Sequence, residues 1–176
     1  MPSASLKYTD RTDRAFGLCG MALALYIYDA EQYLDTLSTD APYDCGISLT
    51  PDFFTVNNPS LSVKSVWKSS LENFNILSAM SFANLLSRSL IRRRCDLSNE
   101  VRSLMTGSLA TEGAESCGLE DSEVHHICDS AYTYMHRVLS HPIVAQAIES
   151  MAKELDSRHK LSRDEILPFL APLRGI

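Results

Sequence analysis

Residues 15–28 read AFGLCGMALALYIY, fourteen residues without a charge, and this run limits what the chain can fold into more than any other stretch. A helix on the surface of a globular protein carries an apolar stripe opposite a polar face. Here Phe16, Leu18, Met21, Leu23, Leu25, Ile27 and Tyr28 point in nearly every direction of a helical wheel. Such a helix has to be surrounded. It is shorter than the ~20 apolar residues needed to cross a bilayer, and polar sequence flanks it: Asp10, Arg11, Asp13 and Arg14 before, Asp29, Glu31 and Asp35 after. The run predicts a buried core helix and no membrane partner.

Lys7, Arg11 and Arg14 ahead of the run resemble the basic part of a secretory leader, but Asp10 and Asp13 interrupt it. Ala22-Leu23-Ala24 lies inside the apolar run instead of after it, and Leu18 stands directly before Cys19, where a lipoprotein leader carries a small residue. The five cysteines, Cys19, Cys45, Cys95, Cys117 and Cys128, are odd in number and contain no C-x-x-C, so they cannot all pair within one chain. Cys19 and Cys128 fall on apolar helical positions, where a free thiol behaves as a small hydrophobe. These features predict a reducing compartment and a cytoplasmic location.

At 176 residues the chain suits one domain, 1–176, with enough core to fold without metal or disulfide. A net charge of -6 disfavours nucleic acid as a general partner.

The first helix is expected to begin at Thr12 or Asp13 and to run on as an amphipathic end, with Ala30, Tyr33, Leu34 and Leu37 on one side. Residues 43–49 read as a loop or a short edge strand at Ile47 and Leu49. Thr50-Pro51-Asp52 starts a short helix through Phe53 and Phe54, and Asn57-Asn58-Pro59 a further one. Leu61, Val63, Val66, Trp67, Leu71, Phe74 and Leu77 carry that helix forward, with a kink expected at 73–75. Residues 76–86 are again uncharged and close on Arg88, Arg92, Arg93 and Arg94, cations that suit a helix C-terminus. Asp96 or Ser98 caps a helix carried inward by Val101, Leu104, Met105 and Leu109, and 111–118 reads as a mobile loop. The next helix, 119–139, buries Val124, Ile127, Cys128, Ala131, Met135 and Val138. After a Ser140-His141-Pro142 corner, another buries Ile143, Val144, Ala147, Ile148, Met151 and Leu155. Ser162 and Glu165 form a capping box for a last, short helix, with Leu161 stapled onto Ile166. The sum is an all-α, single-domain bundle of six or seven helices around two strongly apolar ones, 15–37 and 76–94.

Reactive side chains are densest in the 119–139 helix, where Asp121, His125, Asp129, Tyr132 and His136 form one polar stripe. His125 with Asp129 could supply an acid and a base, and Asp121, His125 and Asp129 could ligate a metal with a third group from another helix. His125 and His136 lie about 16 Å apart along the axis, too far to share one ion. His126 and Cys128 point in different directions and match no structural zinc spacing. A nucleophilic Cys117 is disfavoured by Glu112, Glu115, Glu120 and Asp121 around it. Arg92, Arg93 and Arg94, with Arg88 and Arg102, could hold phosphate or nucleic acid, although no aromatic residue for base stacking lies within 85–109. Tyr26, Tyr33, Phe53, Phe54 and Trp67 could line a pocket with Asp29 at its mouth.

The reading with the broadest support is a non-enzymatic helical protein acting through protein contacts, its partner a second copy or another protein, with no cofactor. An enzyme using His125 and Asp129, metal-assisted or acid-base, is the rival. Phosphate or nucleic-acid binding at Arg92 to Arg94 is third.

Overall fold

The computed structural model describes residues 5–42, 45–53 and 63–176, with the backbone alone over 63–67. Six α-helices make up most of these residues: α1 (Arg11–Ile27), α2 (Val63–Leu86), α3 (Asn99–Cys117), α4 (Asp121–Leu139), α5 (Pro142–Arg158) and α6 (Arg163–Leu170). With them go three short strands, β1 (Leu34–Ser38), β2 (Ile47–Leu49) and β3 (Lys160–Ser162), paired antiparallel in the order β2-β1-β3. The fold is a helical bundle carrying a small sheet. Among the described residues no helix is long and apolar enough to cross a membrane.

α1 starts one residue before the expected range, because Asp10 takes the cap and accepts the Asp13 amide at 2.7 Å. It lies against α2 and α5, and Ala15, Leu18, Cys19, Ala22, Leu23, Ala24 and Leu25 are buried. The helix stops at Ile27, ten residues before the expected Leu37. Asp29 adopts the left-handed conformation at φ 52, the Ala30 amide donates to the Leu25 carbonyl at 2.8 Å, and the Asp29 amide donates to Tyr26 at 3.2 Å. This pair of bonds closes a helix through one left-handed residue, usually glycine and here aspartate. Beyond it, Leu34 and Leu37 are buried from β1. Their three-residue spacing imitates a helix because a bulge between Leu34 and Thr36 turns both toward the core.

β2 is the short edge strand expected at Ile47 and Leu49. Pro51–Phe53 forms a single 3-10 turn instead of a helix, and Phe54, the 57–59 start and Leu61 lie outside the described residues, as do the side chains of Val63, Val66 and Trp67. α2 runs through 73–75 unbroken. Its continuation, Ser87–Arg92, widens into π-helical geometry, with the Arg93 amide donating to the Arg88 carbonyl at 3.2 Å. One extra residue in a turn re-aims the side chains that follow it, and such turns recur at sites with special demands.

The expected mobile loop at 111–118 is the last two turns of α3. Ser98 caps this helix at one end and Gly118, at φ 64, closes it at the other. Gly113, read as a loop signal, is there for contact. A Cβ would lie 2.8 Å from Val124 and 2.9 Å from Phe74, so α3 reaches α4 and α2 only because that position is bare. Leu104 and Ile143, expected inside, are 54% and 53% exposed. Each sits within a helical apolar pattern but beside the stripe that meets the core. α4 and α5 otherwise bury Val124, Cys128, Ala131 and Met135, and Val144, Ile148, Met151 and Leu155. The Ser162–Glu165 capping box opens α6, with Leu161 and Ile166 both buried beside it.

Candidate functional site

The first turns of α3 and the middle of α4 enclose a polar cleft of about 250 Å³ lined by Asn99, Arg102, Ser103, Thr106, His125 and Asp129. Arg102 is its fixed centre. The guanidinium stacks 4.0 Å from the Tyr132 ring centroid and donates to Asp129 Oδ1 at 2.7 Å, while Tyr132 is itself anchored edge-on to the core residue Phe82. His125 Nδ1 lies 2.7 Å from the Asp121 carbonyl oxygen. A carbonyl only accepts, so Nδ1 carries the hydrogen, and the Nε2 lone pair of the neutral ring is left for a proton or a metal.

His125 and Asp129 thus share one cleft, and Asp121 enters through its backbone oxygen, which orients the ring. His136, further along the stripe, pairs with Asp96 at 3.3 Å instead. Among the described residues no three His, Cys, Asp or Glu side chains converge on one point. Burial pushes the Cys128 thiol up to about 11, with Asp129 adding to the rise and Thr106 and Arg102 opposing it. Burial, and then Glu112, also raises the Cys117 thiol. Neither sulfur is poised as a nucleophile.

The arginines expected to bind phosphate have internal partners. Arg92 donates to Asp10 Oδ2 at 2.6 Å and to Asp13 Oδ1 at 2.9 Å. Arg93 donates from Nε to the Arg88 carbonyl, and Arg94 pairs with Glu149. Arg88 is wholly buried, as is Asp13, whose carboxylate it meets at 2.7 Å. Its other donors reach the Ser5, Leu6 and Lys7 carbonyls at 3.2, 3.3 and 2.7 Å, and the Tyr8 ring lies 4.8 Å from it. One guanidinium therefore ties residues 5–8 onto α1 and α2. Burial raises the Asp13 carboxyl, but the bond and charge of Arg88, with the Thr9 amide and Arg92, outweigh it and hold the group below the ordinary range. Reading 88–94 as a helix end does not reveal this buried pair. The signal was that Leu85, Leu86, Leu90 and Ile91 continue the apolar pattern past Arg88.

The aromatic residues divide. Tyr26 and Asp29 line a small cavity of about 130 Å³ with Ile27, Tyr134, Arg174 and Ile176, whereas Tyr33 packs edge-on against Phe53 at 5.4 Å. Around the cavity Tyr28 stacks edge-on with Tyr134 at 6.0 Å, Arg137 lies 5.9 Å from the Tyr134 ring, and Arg174 lies 5.6 Å from the Tyr26 ring. Tyr134 and Ile176 remain 38% and 56% exposed. Compared with known proteins, the chain matches no family model and no curated relative.

Proposed function

We propose that this is a cytoplasmic, non-enzymatic helical protein that acts through protein contacts and self-associates. One observation carries the reading. Tyr134 and Ile176 are exposed beside the half-buried Tyr28, with Arg137 against the Tyr134 ring and Arg174 against the buried Tyr26 ring, and together they make one aromatic and arginine patch. Tyrosine and arginine dominate the centres of protein interfaces because each presents a large, stiff contact area with a polar tip. The basic cluster argues the same way from the other side. Arg88, Arg92, Arg94 and Arg102 are engaged by acids of their own chain, so a phosphate at Arg92 or Arg94 would have to displace Asp10 and Asp13 or Glu149, while Arg93 has no carboxylate partner among the described residues. Sedimentation over a concentration series tests the proposal: a shift toward dimer is expected as concentration rises, and a monomer throughout would remove self-association.

A second reading, acid-base or metal-assisted chemistry in the α3–α4 cleft, is favoured by the tautomer of His125. A histidine held through Nδ1 by a backbone carbonyl presents Nε2 in the way metal-binding and general-base histidines do. If a divalent ion binds there, Zn, Mn or Ni will raise the melting temperature of the wild type and not of His125→Ala. No shift in either would count against a metal in the cleft.

A further inference from the structure

The face that α4 turns to solvent is complementary to itself. Glu123, His126, Ile127, Ser130, Thr133, Tyr134 and Arg137 recur at intervals of three and four and so form one stripe along the helix, all exposed except the half-buried Ile127. Its two ends differ. Toward the N-terminus an apolar hollow of about 380 Å³ is lined by Leu71, Leu119, Ser122, Glu123, His126 and Ile127. Toward the C-terminus Tyr134, packed edge-on against Tyr28, is 38% exposed, with Arg137 beside its ring. Arg137 has no carboxylate partner among the described residues.

We infer that α4 is the interface on which two copies of this chain pair, antiparallel about a two-fold axis through Ser130. This rests on the self-associating reading above and names its surface. Glu123 and Arg137 each lie seven residues from Ser130, about 10.5 Å along the axis, so an antiparallel copy sets Glu123 of one chain against Arg137 of the other, twice. Tyr134 and His126 each lie four residues from Ser130, about 6 Å. The same rotation therefore brings Tyr134 of each copy over the other's hollow, which His126 lines. Serine at the crossing lets two backbones approach. A parallel pair would set Glu123 against its like and Arg137 against its like, so charge selects the antiparallel arrangement. The second copy is chosen over an unrelated helix because acid, hollow, small residue, aromatic and base are symmetric about one position. Nothing in a partner of different sequence would require that.

The test combines sedimentation of the wild type with a cross-link. Cys45 and Cys95 are the exposed native thiols and are replaced by serine. In that background Ser130→Cys is expected to give an interchain disulfide under mild oxidation, because residues on a two-fold between packed helices come within the ~4.4–6.8 Å Cα separation a disulfide needs. Ser150→Cys, exposed on α5, is the control and should give none. Glu123→Arg and Arg137→Glu should each weaken the dimer at least about tenfold, and the double exchange should restore it. A wild type that sediments as a monomer overturns both this pairing and the self-associating reading. A wild type that dimerises while Ser130→Cys stays uncross-linked, or while the double exchange fails to rescue, overturns the α4 pairing and leaves self-association standing.

Discussion

Replacing Arg88 by methionine will destabilise the fold by about 3 kcal/mol, which for a chain of this length lowers the melting temperature by roughly 6–12 °C. Methionine fills much of the same space, so the loss is chiefly electrostatic. Asp13 would remain wholly buried with Arg92 as its one cation and the Thr9 amide as its other donor, and the Ser5, Leu6 and Lys7 carbonyls would lose their shared donor. The lower end of the ~3–5 kcal/mol range for breaking a buried pair is expected because Arg92 stays. Adding Asp13→Asn should recover part of the loss, since the stranded charge then disappears. Hydrogen exchange at residues 5–9 should quicken in the single variant, because one guanidinium ties that segment to the helices. Acid will report the same pair. The Asp13 carboxyl is held below its ordinary value, so its contribution is full above the unfolded carboxyl value of about 4. It is lost as pH falls through the folded value. Urea midpoints taken from pH 7 down to pH 2 should show a smaller acid-dependent fall in Arg88→Met than in the wild type. An Arg88→Met protein as stable as its parent, with the same acid profile, would show that the pair contributes nothing.

The second large effect is expected at Gly20. A Cβ at this position would lie 2.3 Å from the Ala83 carbonyl oxygen and 2.5 Å from Ser87 Oγ, which itself donates to the Phe16 carbonyl at 2.7 Å. α1 and α2 cross here in contact through their backbones, and a helix backbone cannot turn aside as a side chain can. Gly20→Ala should therefore destabilise by about 2 kcal/mol or more, although alanine is intrinsically the better helix former by about 1 kcal/mol. Gly107→Ala supplies the contrast. Position 107 lies mid-helix in α3 with open space around it, so only the propensity gain remains, and a rise of up to about 1 kcal/mol is expected. Urea denaturation of the two variants should move the midpoint in opposite directions. Equal shifts of the same sign would show that the α1–α2 contact is looser than 2.3 Å implies.

These glycines mark the line between what was legible and what was not. Gly20 and Gly107 look alike in the sequence, each a glycine inside a helical pattern, and only the neighbouring helix separates them. The polar stripe of α4 was legible because it follows from the turn of one helix, and so His125 and Asp129 do share a cleft. Its third member, Arg102, comes from α3 and in the sequence is one more cation in a basic patch. The contrast with α1 is similar. Its cap is local and was placed within a few residues, but its end depends on Asp29 taking a left-handed conformation that the sequence does not announce.

What the sequence by itself determined are the features set by neighbours a few residues apart: mainly helical structure, a cap at Asp96 or Ser98, the Ser162–Glu165 box and, Ile143 apart, the buried faces of α4 and α5. Tertiary structure alone decided the rest. Leu34 and Leu37 became a strand because β2 and β3 supplied pairing partners on both sides, and Arg88 became a buried clamp because Asp13, 75 residues earlier, was brought against it. The physical reason is common to both cases. A side chain's preference for helix or for water is worth a kcal/mol or less per residue, whereas a ladder of backbone bonds or an unpaired buried charge is worth several, so the long-range term overrides the local one wherever the chain brings the partner into reach.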